Sequence, residues 1–287
     1  IEASKAFSKK TMEEAGVPSA KGGAFRDETE ALSYLKSLPD APVVVKASGL
    51  AAGKGLLICE HLGAAESAVR EMFGGKFGSA GNEVIIEECL QGEELSVLAL
   101  TDGERSLLLP PSQDHKRIGE GDTGLNTGGM GAYSPVSIAK HELLGRVRDE
   151  IISPVLKRLA EMGAPYKGVL YAGLMIAPSG ELNVLEFNCR FGDPEAQVVL
   201  PVLDFDILEH MWQIAAGENW RPDDSLAEAS TAAVTTVRAS RGYPASPEKG
   251  VAISVPTDLP PDTLLFHAGT ARDNDGRTRI WRLPRTR

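Results

Sequence analysis

The sequence predicts an α+β, or mixed α/β, fold. Two observations support this class: predicted helices and strands alternate irregularly along the 287 residues, and several strands follow one another directly across glycine-rich loops. A doubly wound parallel sheet would instead require a regular alternation of strand and helix. The length suits roughly two domains, and 42% hydrophobic residues are enough to build a core.

The first half contains two amphipathic helices and several short strands. Residues 4–16 and 27–38 predict the helices, and Asp27 is the expected N-cap of the second. Further predicted elements are a helix over 64–73, a glycine-rich loop over 75–82, and strands over 42–46, 56–59, 84–86, 95–100 and 107–109.

The second half begins with a glycine-dominated segment, 119–134, which predicts a loop. A long helix over 141–162 follows, and Pro154 is expected to kink it or to start a new turn. The remaining predicted elements are strands over 168–177 and 182–188, a helix opening at 193–195, and strands over 232–240 and 250–256.

The overall charge limits the classes of partner. A formal charge of −10 argues against nucleic acid and anionic membranes, since phosphate neutralisation needs clustered cations. No apolar stretch approaches the roughly 20 residues of a membrane span, and no signal peptide is apparent. Three cysteines beside apolar runs fit reduced, buried thiols. We therefore expect a cytoplasmic protein whose partners are small molecules.

A lysine- and glycine-rich segment joins two predicted strands. It begins at Lys46 and contains Gly49, Gly53, Lys54 and Gly55. A Walker A loop needs four residues between its glycines, Ser or Thr after the lysine, and a following helix, and none of these is present. A strand–loop–strand hairpin can still offer backbone N–H groups and lysines to a triphosphate. The alternative is a simple turn with Lys46 at a solvated strand end.

A second segment combines charge with glycine. Gln113, Asp114, His115, Lys116 and Arg117 are consecutive. Adjacent cations beside a histidine suggest a compact anion site. The following glycine-rich run lets backbone approach a small substrate closely. The residues singled out in that run are Asn126, Gly128, Gly129 and Gly131.

A third segment predicts a metal site on a strand. Glu186 and Asn188 are two residues apart and should share one face. Oxygen ligands of this kind suit Mg²⁺ or Mn²⁺ with substrate phosphates. Arg190 lies just beyond, where it can meet a transferring phosphoryl group. Asp193 is expected as a helix N-cap with Pro194 at the first helical position, and also as a ligand for a substrate amine, since the two roles are compatible.

These segments occur in the order KASGLAAGKG, IIEECLQGEELS, SQDHKR, NTGGMGAYSP, LYAGLMI, LEFNCRFGDPE and FHAGT. In that order the chain resembles the phosphoribosylamine–glycine ligases, or glycinamide ribonucleotide synthetases, of the ATP-grasp superfamily, from residue 4 to about 270. The resemblance implies an ATP-grasp fold with a small lid subdomain (about 18–88) and a partial β-rich C-terminal domain. The implied parts are an N-terminal part (1–92), a central part with the metal and substrate site (93–226) and the β-rich part (227–287).

The resemblance also implies a reaction. ATP phosphorylates the carboxylate of glycine, and the amine of 5-phosphoribosylamine attacks the acyl phosphate. The products are glycinamide ribonucleotide, ADP and phosphate, formed in de novo purine biosynthesis with Mg²⁺ or Mn²⁺.

Roles for individual residues follow from the same resemblance. Lys46, Gly53, Lys54 and Gly55 are expected at the triphosphate. Glu87 and Leu90 are expected at an adenine hinge, and Glu94 at the ribose. The implied metal ligands are Glu186 and Asn188. The implied catalytic residues are Arg190, Asp193, Lys116 and Arg117. The implied substrate-binding residues are Gln113, Asp114, His115, Asn126, Gly128, Gly129 and Gly131.

Both ends depart from the family pattern. The family's N-terminal domain is missing, and the end GRTRIWRLPRTR does not align. We therefore expect a fragment that binds nucleotide with little turnover, with the missing domain as a candidate partner on another segment. Two alternatives stay open: another ATP-grasp carboxylate–amine ligase, which should fail to select phosphoribosylamine through residues 113–133, and a non-catalytic nucleotide-binding fragment of a multifunctional purine protein.

Overall fold

The computed structural model describes residues 1–49, 55–222, 226–256 and 258–280. Its strands form two four-stranded sheets, one three-stranded sheet and one two-stranded hairpin. Every pairing between these strands within the described ranges is antiparallel, which agrees with the expectation that the fold is not a doubly wound parallel sheet.

The first sheet, which we call the lid sheet, has the order β1-β4-β2-β3. Its strands are β1 (Gly22–Phe25), β2 (Val43–Ala47), β3 (Leu56–Cys59) and β4 (Val84–Glu88). Helices α2 (Glu28–Ser37) and α3 (Leu62–Glu71) cover one face, where their apolar residues form a core with the strands. Asp27 is the N-cap of α2, accepting a hydrogen bond from the Glu30 N–H at 3.0 Å, as predicted.

The second sheet, which we call the central sheet, has the order β10-β9-β5-β6. Its strands are β5 (Glu93–Thr101), β6 (Ser106–Leu108), β9 (Gly168–Ile176) and β10 (Leu182–Asn188). One face packs on the helical segment 141–161 in the largest apolar cluster. The opposite face is apolar towards α6 (Ala196–Val199) and α7 (Ile207–Ala216).

The predicted long helix is continuous but changes its winding. It consists of α4 (His141–Arg146), a π-helical segment (Val147–Ile152) and α5 (Ser153–Glu161). Pro154 lies in the first turn of α5, as expected of a proline that starts a new turn. Proline has no backbone N–H to donate within a helix. The π-helical segment lies just before Pro154 and accommodates this missing hydrogen bond.

The first helix, α1 (Lys5–Ala15), lies between the two sheets. It packs against α5 and also contacts β10 of the central sheet and β4 of the lid sheet. Ser4 is its N-cap and Gly16 ends it in a left-handed conformation. Helix α1 is therefore the element through which the lid sheet and the central sheet meet.

The glycine-dominated segment 119–134 is not a loop, so that prediction is wrong. It forms β8 (Thr123–Ser134), which pairs with β7 (Gln113–Gly119) and with β11 (Ala233–Thr236). Strand β8 was missed because its glycines give no alternation of apolar and polar residues. Their small size nevertheless lets a neighbouring strand pack closely against β8. At Gly131 a Cβ would stand 2.6 Å from the Thr235 carbonyl oxygen of β11.

Two smaller expectations also differ from the structure. Residues 75–82 are not an open loop, because a π-helical turn (Met72–Lys76) and a 3₁₀ turn (Gly78–Asn82) occupy this stretch. The predicted strand 250–256 reduces to one bridge between Ala252 and Arg279, beside the hairpin β12 (Thr270–Arg272) and β13 (Thr278–Ile280). None of the helices in the described ranges has the length and apolar character needed to cross a bilayer.

Candidate functional site

A polar surface occupies one end of the central sheet. Glu186 of β10 lies opposite Gly173 of β9, which lies opposite Ser96 of β5. Asn188 lies opposite Tyr171, two residues further along. Since side chains two apart share a face, these groups lie on the same side of the sheet, as predicted for Glu186 and Asn188. Phe187 points to the other side and is buried in the apolar core.

Cations and carboxylates alternate above this surface. Lys5, at the start of α1, interacts electrostatically with both Glu186 and Lys46. Burial lowers the pKa of the Lys5 ammonium, Lys46 adds to the lowering, and Glu186 opposes it. Lys5 is therefore close enough to interact with both the predicted triphosphate lysine and the predicted metal carboxylate.

Glu186 and Asn188 fit a metal ion that also binds substrate phosphates. No hydrogen bond to the Glu186 carboxylate occurs among the described residues, and Asn188 Oδ1 accepts one bond, from Arg190 Nη2 at 3.0 Å. An amide oxygen has a second lone pair available for a metal. The same ranges contain no group of three His, Cys, Asp or Glu side chains able to enclose an ion. Two protein ligands with water and phosphate oxygens match the habit of Mg²⁺.

Lys116 lies within a group of acidic residues. Its ammonium bonds Glu94 and stands 3.7 Å from Asp114 Oδ1. Burial alone would lower the pKa of Lys116, but Asp114 and Glu94, with a smaller effect of Glu186, raise it well above the ordinary value. Lys116 is thus a permanent cation facing the Glu186 side of the sheet.

The other residues of the 113–117 run contact different groups. Arg117 Nη1 donates to the Gly124 carbonyl at 2.8 Å, within the β7–β8 hairpin. His115 is exposed and its ring lies 6.1 Å from the ring of Tyr133. Gln113 donates to the Glu94 carbonyl at 2.7 Å. Lys116, Arg117 and His115 therefore do not converge as the compact cluster that their adjacency suggested.

The glycine run of β8 lies against the segment that follows β10. A Cβ at Gly129 would stand 2.4 Å from Pro194 Cδ. The Gly128 N–H donates to the Tyr243 hydroxyl at 3.1 Å, and Asn126 is exposed. The structure therefore brings Gly128 and Gly129 beside Asp193, although they are more than sixty positions apart in the sequence.

The segment after β10 is held by an acidic residue near the beginning of the chain. Glu2 accepts hydrogen bonds from the Arg190 Nε and from the Cys189 N–H, both at 2.8 Å. Asp193 is not a helix N-cap, because α6 begins at Ala196 and Asp193 Oδ1 accepts from the Gln197 amide at 2.7 Å. Of the two expectations for Asp193, the substrate contact stays a prediction.

A buried ion triad connects α1 with the lid sheet. Glu87 Oε1 lies 2.9 Å from Lys9 Nζ, and Glu87 Oε2 lies 2.6 Å from Lys46 Nζ. Burial raises the pKa of Glu87, but Lys46 and Lys9 together hold it below the ordinary value. The alternative of a solvated strand end for Lys46 is therefore wrong, and Glu87 is buried as well.

The rest of the predicted triphosphate loop is only partly visible. Gly53 and Lys54 lie outside the described residues. The Gly55 carbonyl accepts a hydrogen bond from the Ala47 N–H at 2.7 Å, next to Lys46. Leu90 is half-buried in the link between β4 and β5. These positions agree with the predicted strand–loop–strand hairpin and with a hinge between β4 and β5.

The role of several residues near the site could not be predicted from the sequence alone. Lys5 and Lys9 belong to a helix whose pattern predicts only amphipathicity, and Tyr171 and Glu195 belong to otherwise apolar surroundings. The one sign of their role in the sequence is a polar residue at a position predicted to be buried. That sign can be interpreted only when the packing around the residue is known.

Comparison with known proteins agrees with this geometry. A family model described as the phosphoribosylglycinamide synthetase ATP-grasp (A) domain matches residues 3–196. The phosphoribosylamine–glycine ligase of Nostoc sp. is 51% identical over 271 residues, which are 94% of this chain and 63% of that protein. The chain therefore spans less than two thirds of this relative's length.

Two solved structures are similar in fold. The crystal structure of phosphoribosylamine–glycine ligase from Thermotoga maritima superposes with a TM-score of 0.86 at 33% identity, covering 98% of this chain and 69% of that one. The biotin carboxylase domain of 2-oxoglutarate carboxylase from Hydrogenobacter thermophilus has a TM-score of 0.68 at 23% identity, covering 90% and 55%. The second likeness shows the fold alone. The predicted ATP-grasp fold and the predicted resemblance are both confirmed, and the chain belongs to the phosphoribosylglycinamide synthetase family, whose ATP-grasp domain it carries.

Proposed function

We propose that this chain supplies the nucleotide- and metal-binding core for the ATP-dependent ligation of glycine to 5-phosphoribosylamine. The observation that carries the proposal is that Lys5 and Lys116 both lie near Glu186, on the sheet face that also bears Asn188, and that Lys46 of the lid sheet lies near Lys5. The Nostoc and Thermotoga maritima relatives are named phosphoribosylamine–glycine ligases, and the Hydrogenobacter thermophilus domain was solved with MgADP.

ATP would lie between the lid sheet and the central sheet. Lys5 and Lys46, which lie near each other, would bind its phosphates, with Lys54 as a further predicted ligand, because fixed cations stabilise charge on a transferring phosphoryl group. The link between β4 and β5, with Glu87 and Leu90, would meet the adenine through backbone groups. The Glu94 carboxylate would accept bonds from the ribose.

Glu186 and Asn188 would hold Mg²⁺ or Mn²⁺. When bound, the ion would neutralise phosphate charge and orient the terminal phosphate. Arg190 bonds Asn188 and lies beside this position, which suits contact with the phosphoryl group in transit.

The reaction needs two successive attacks. A glycine carboxylate oxygen attacks the γ-phosphorus, and ADP leaves with glycyl phosphate formed. The amine of phosphoribosylamine then attacks the glycyl carbonyl, loses a proton and displaces phosphate. Asp193, the 126–131 glycine run and Gln113 to Arg117 are the proposed positions for the two substrates. Holding three reactants in place can contribute roughly 7–11 kcal/mol, and excluding water protects the acyl phosphate.

Titration calorimetry of MgATP into the chain tests the proposal. We expect binding that requires the metal and that weakens by at least roughly tenfold in Glu186→Ala/Asn188→Ala. Glu181→Ala is the matched control, because Glu181 is an exposed carboxylate just before β10. A folded chain that binds no MgATP would contradict the proposal.

An assay of ADP release then separates the complete reaction from nucleotide binding alone. Release that requires both glycine and phosphoribosylamine would assign the ligation to this chain. MgATP binding without such release would limit its role to the nucleotide-binding core. Release with a different amine or carboxylate would favour another ATP-grasp ligase.

A further inference from the structure

The triad of Lys9, Glu87 and Lys46 is buried and contains two cations for one carboxylate. The three residues are 4%, 6% and 9% exposed. Lys9 is fixed on one side by the Ala20 carbonyl at 2.7 Å and on the other by Glu87 at 2.9 Å. Lys46 is held only 2.6 Å from the second oxygen of the same carboxylate.

One cation would be enough to balance Glu87. With both lysines charged, the triad carries a net charge of +1, and Lys5 adds a further cation beside Lys46. Glu13 Oε1 also lies 3.9 Å from Lys9 Nζ, but the Glu13 side chain is 59% exposed, so solvent screens this contact. Among the described residues, Lys46 has Glu87 as its one carboxylate within ion-pair distance, and a buried charge is costly unless it is paired. The surplus is also unexpected in a chain whose formal charge is −10. An anionic ligand next to Lys46 would supply the missing compensation.

The two lysines are not equivalent in position. Lys9 lies in the middle of α1, enclosed between that helix and β4, and both of its hydrogen bonds go to protein oxygens. Lys46 lies near the end of β2, where the chain enters the predicted triphosphate loop. Only Lys46 is therefore placed to reach a ligand, and Lys9 can act only through Glu87.

We propose that Lys9 is a positioning residue that neutralises Glu87, so that the ammonium of Lys46 keeps its net charge for the phosphates of the nucleotide. The proposal rests on the proposed function, in which Lys46 binds phosphate. It predicts that phosphate affinity follows the net charge of the triad: +1 in the natural chain, 0 in Lys9→Met, and +1 again in Lys9→Met/Glu87→Gln.

The experiment measures the affinity of MgATP and of adenosine for four forms of the full chain by calorimetry, with adenosine in competition where its binding is weak. The forms are the natural chain, Lys9→Met, Lys9→Met/Glu87→Gln, and Lys10→Met. Lys10→Met is the matched control, because it makes the same charge change at the next residue, whose side chain is 73% exposed.

We expect Lys9→Met to weaken MgATP binding roughly tenfold, which corresponds to about 1.4 kcal/mol. Adenosine has no phosphate, so its affinity should stay within about twofold. The double variant should recover most of the MgATP affinity, because Lys46 again carries an uncompensated charge. Lys10→Met should bind as the natural chain does.

Three results would overturn the proposal: natural MgATP affinity in Lys9→Met, an equal loss for adenosine, or a double variant as weak as the single one. The last would mean that Glu87 orients Lys46 through the ion pair. If Lys9→Met does not fold, the double variant still decides, because its neutral side chains replace the ion pair at similar volume. Absence of MgATP binding to the natural chain would instead refute the proposed function.

Discussion

At the scale of single residues, the Tyr171 hydroxyl links two strands to the segment that follows β10. It donates to Glu195 Oε1 at 2.9 Å and lies 2.8 Å from Ser96 Oγ. A tyrosine has one hydroxyl hydrogen, so Ser96 is the donor of the second bond. Burial, with the nearby carboxylates of Glu195 and Asp114, raises the pKa of Tyr171 well above its ordinary value, so the hydroxyl stays protonated. These hydrogen bonds therefore hold Ser96, Tyr171 and Glu195 in fixed positions at the polar end of the central sheet.

Replacing Tyr171 by Phe removes this hydroxyl and takes one donor from the fully buried Glu195. We expect a loss of about 1–3 kcal/mol in the free energy of unfolding, the usual cost of leaving a buried polar group with one partner fewer. Urea unfolding measures it. Tyr34→Phe is the control, because that half-buried hydroxyl makes no hydrogen bond among the described residues, and an equal loss there would contradict the argument.

The sequence identified residues whose role is local and missed those whose role depends on packing. Asp27 was predicted as a cap because capping involves only the next few residues. Glu186 and Asn188 were placed on one face because strand periodicity is local as well. The partners of Glu87 could not be predicted, since Lys9 and Lys46 reach it across separations of 78 and 41 residues.

At the scale of elements, strand β8 depends on glycines, because their lack of a side chain leaves room for the neighbouring segments. Gly129 has φ 114°, in the region that side chains rarely adopt, and lies directly against Pro194. This contact joins the β7–β8 hairpin to the Asp193 segment. A residue with a Cβ would have to separate the two or strain the backbone.

Gly129→Ala should therefore destabilise the chain by about 1–3 kcal/mol. Gly145→Ala is the matched change, because Gly145 lies within α4 and an added Cβ would meet nothing within 4 Å. There the same substitution should stabilise the chain by about 0.5–1 kcal/mol through helix propensity. Thermal and urea unfolding of both variants measure the two signs, and equal effects would refute the argument.

Elements were predictable where an apolar pattern marked them. The helical segment 141–161 has a regular apolar face and was found with its proline turn. Strand β8 has no such face, because many of its residues are exposed or half-buried. Its pairing with neighbouring strands depends on glycines, which have no side chain. The strand predicted over 250–256 was overestimated, because Val251 and Ile253 gave a strand pattern but the segment pairs only with the short strand β13, through one bridge at Ala252.

At the scale of the whole molecule, α1 connects the two sheets through charge as well as through packing. Its apolar side joins the central core with Met12, and its Lys9 joins β4 of the lid sheet through Glu87. The Lys5 N–H and the Ala6 N–H both bond Ser48, at the end of β2, at 2.9 and 3.1 Å. The proposed nucleotide binding at Lys46 and the stability of this junction should therefore depend on the same ionised carboxylate, that of Glu87.

The dependence of stability on pH tests this junction. The pKa of Glu87 is below its ordinary value of 4.5 in the folded chain, so its contribution is fully present above about pH 4.5 and is lost as the pH falls through the lower folded value. The general charge of the chain changes over the same range, since the sequence pI is about 5.1. A matched variant removes that common effect.

We therefore expect the difference in melting temperature between the natural chain and Lys9→Met/Glu87→Gln to stay constant from pH 7 to about pH 5.5. Below about pH 4.5 the melting temperature of the natural chain should fall more than that of the double variant, because only the natural chain has the Glu87 carboxylate to protonate. Differential scanning fluorimetry of both proteins from pH 3 to pH 7 measures the difference. A difference that stays constant while both proteins remain folded would mean that the triad does not couple the ionisation of Glu87 to folding. The junction between the two sheets would then rest on its apolar contacts and on its other hydrogen bonds, among them those to Ser48.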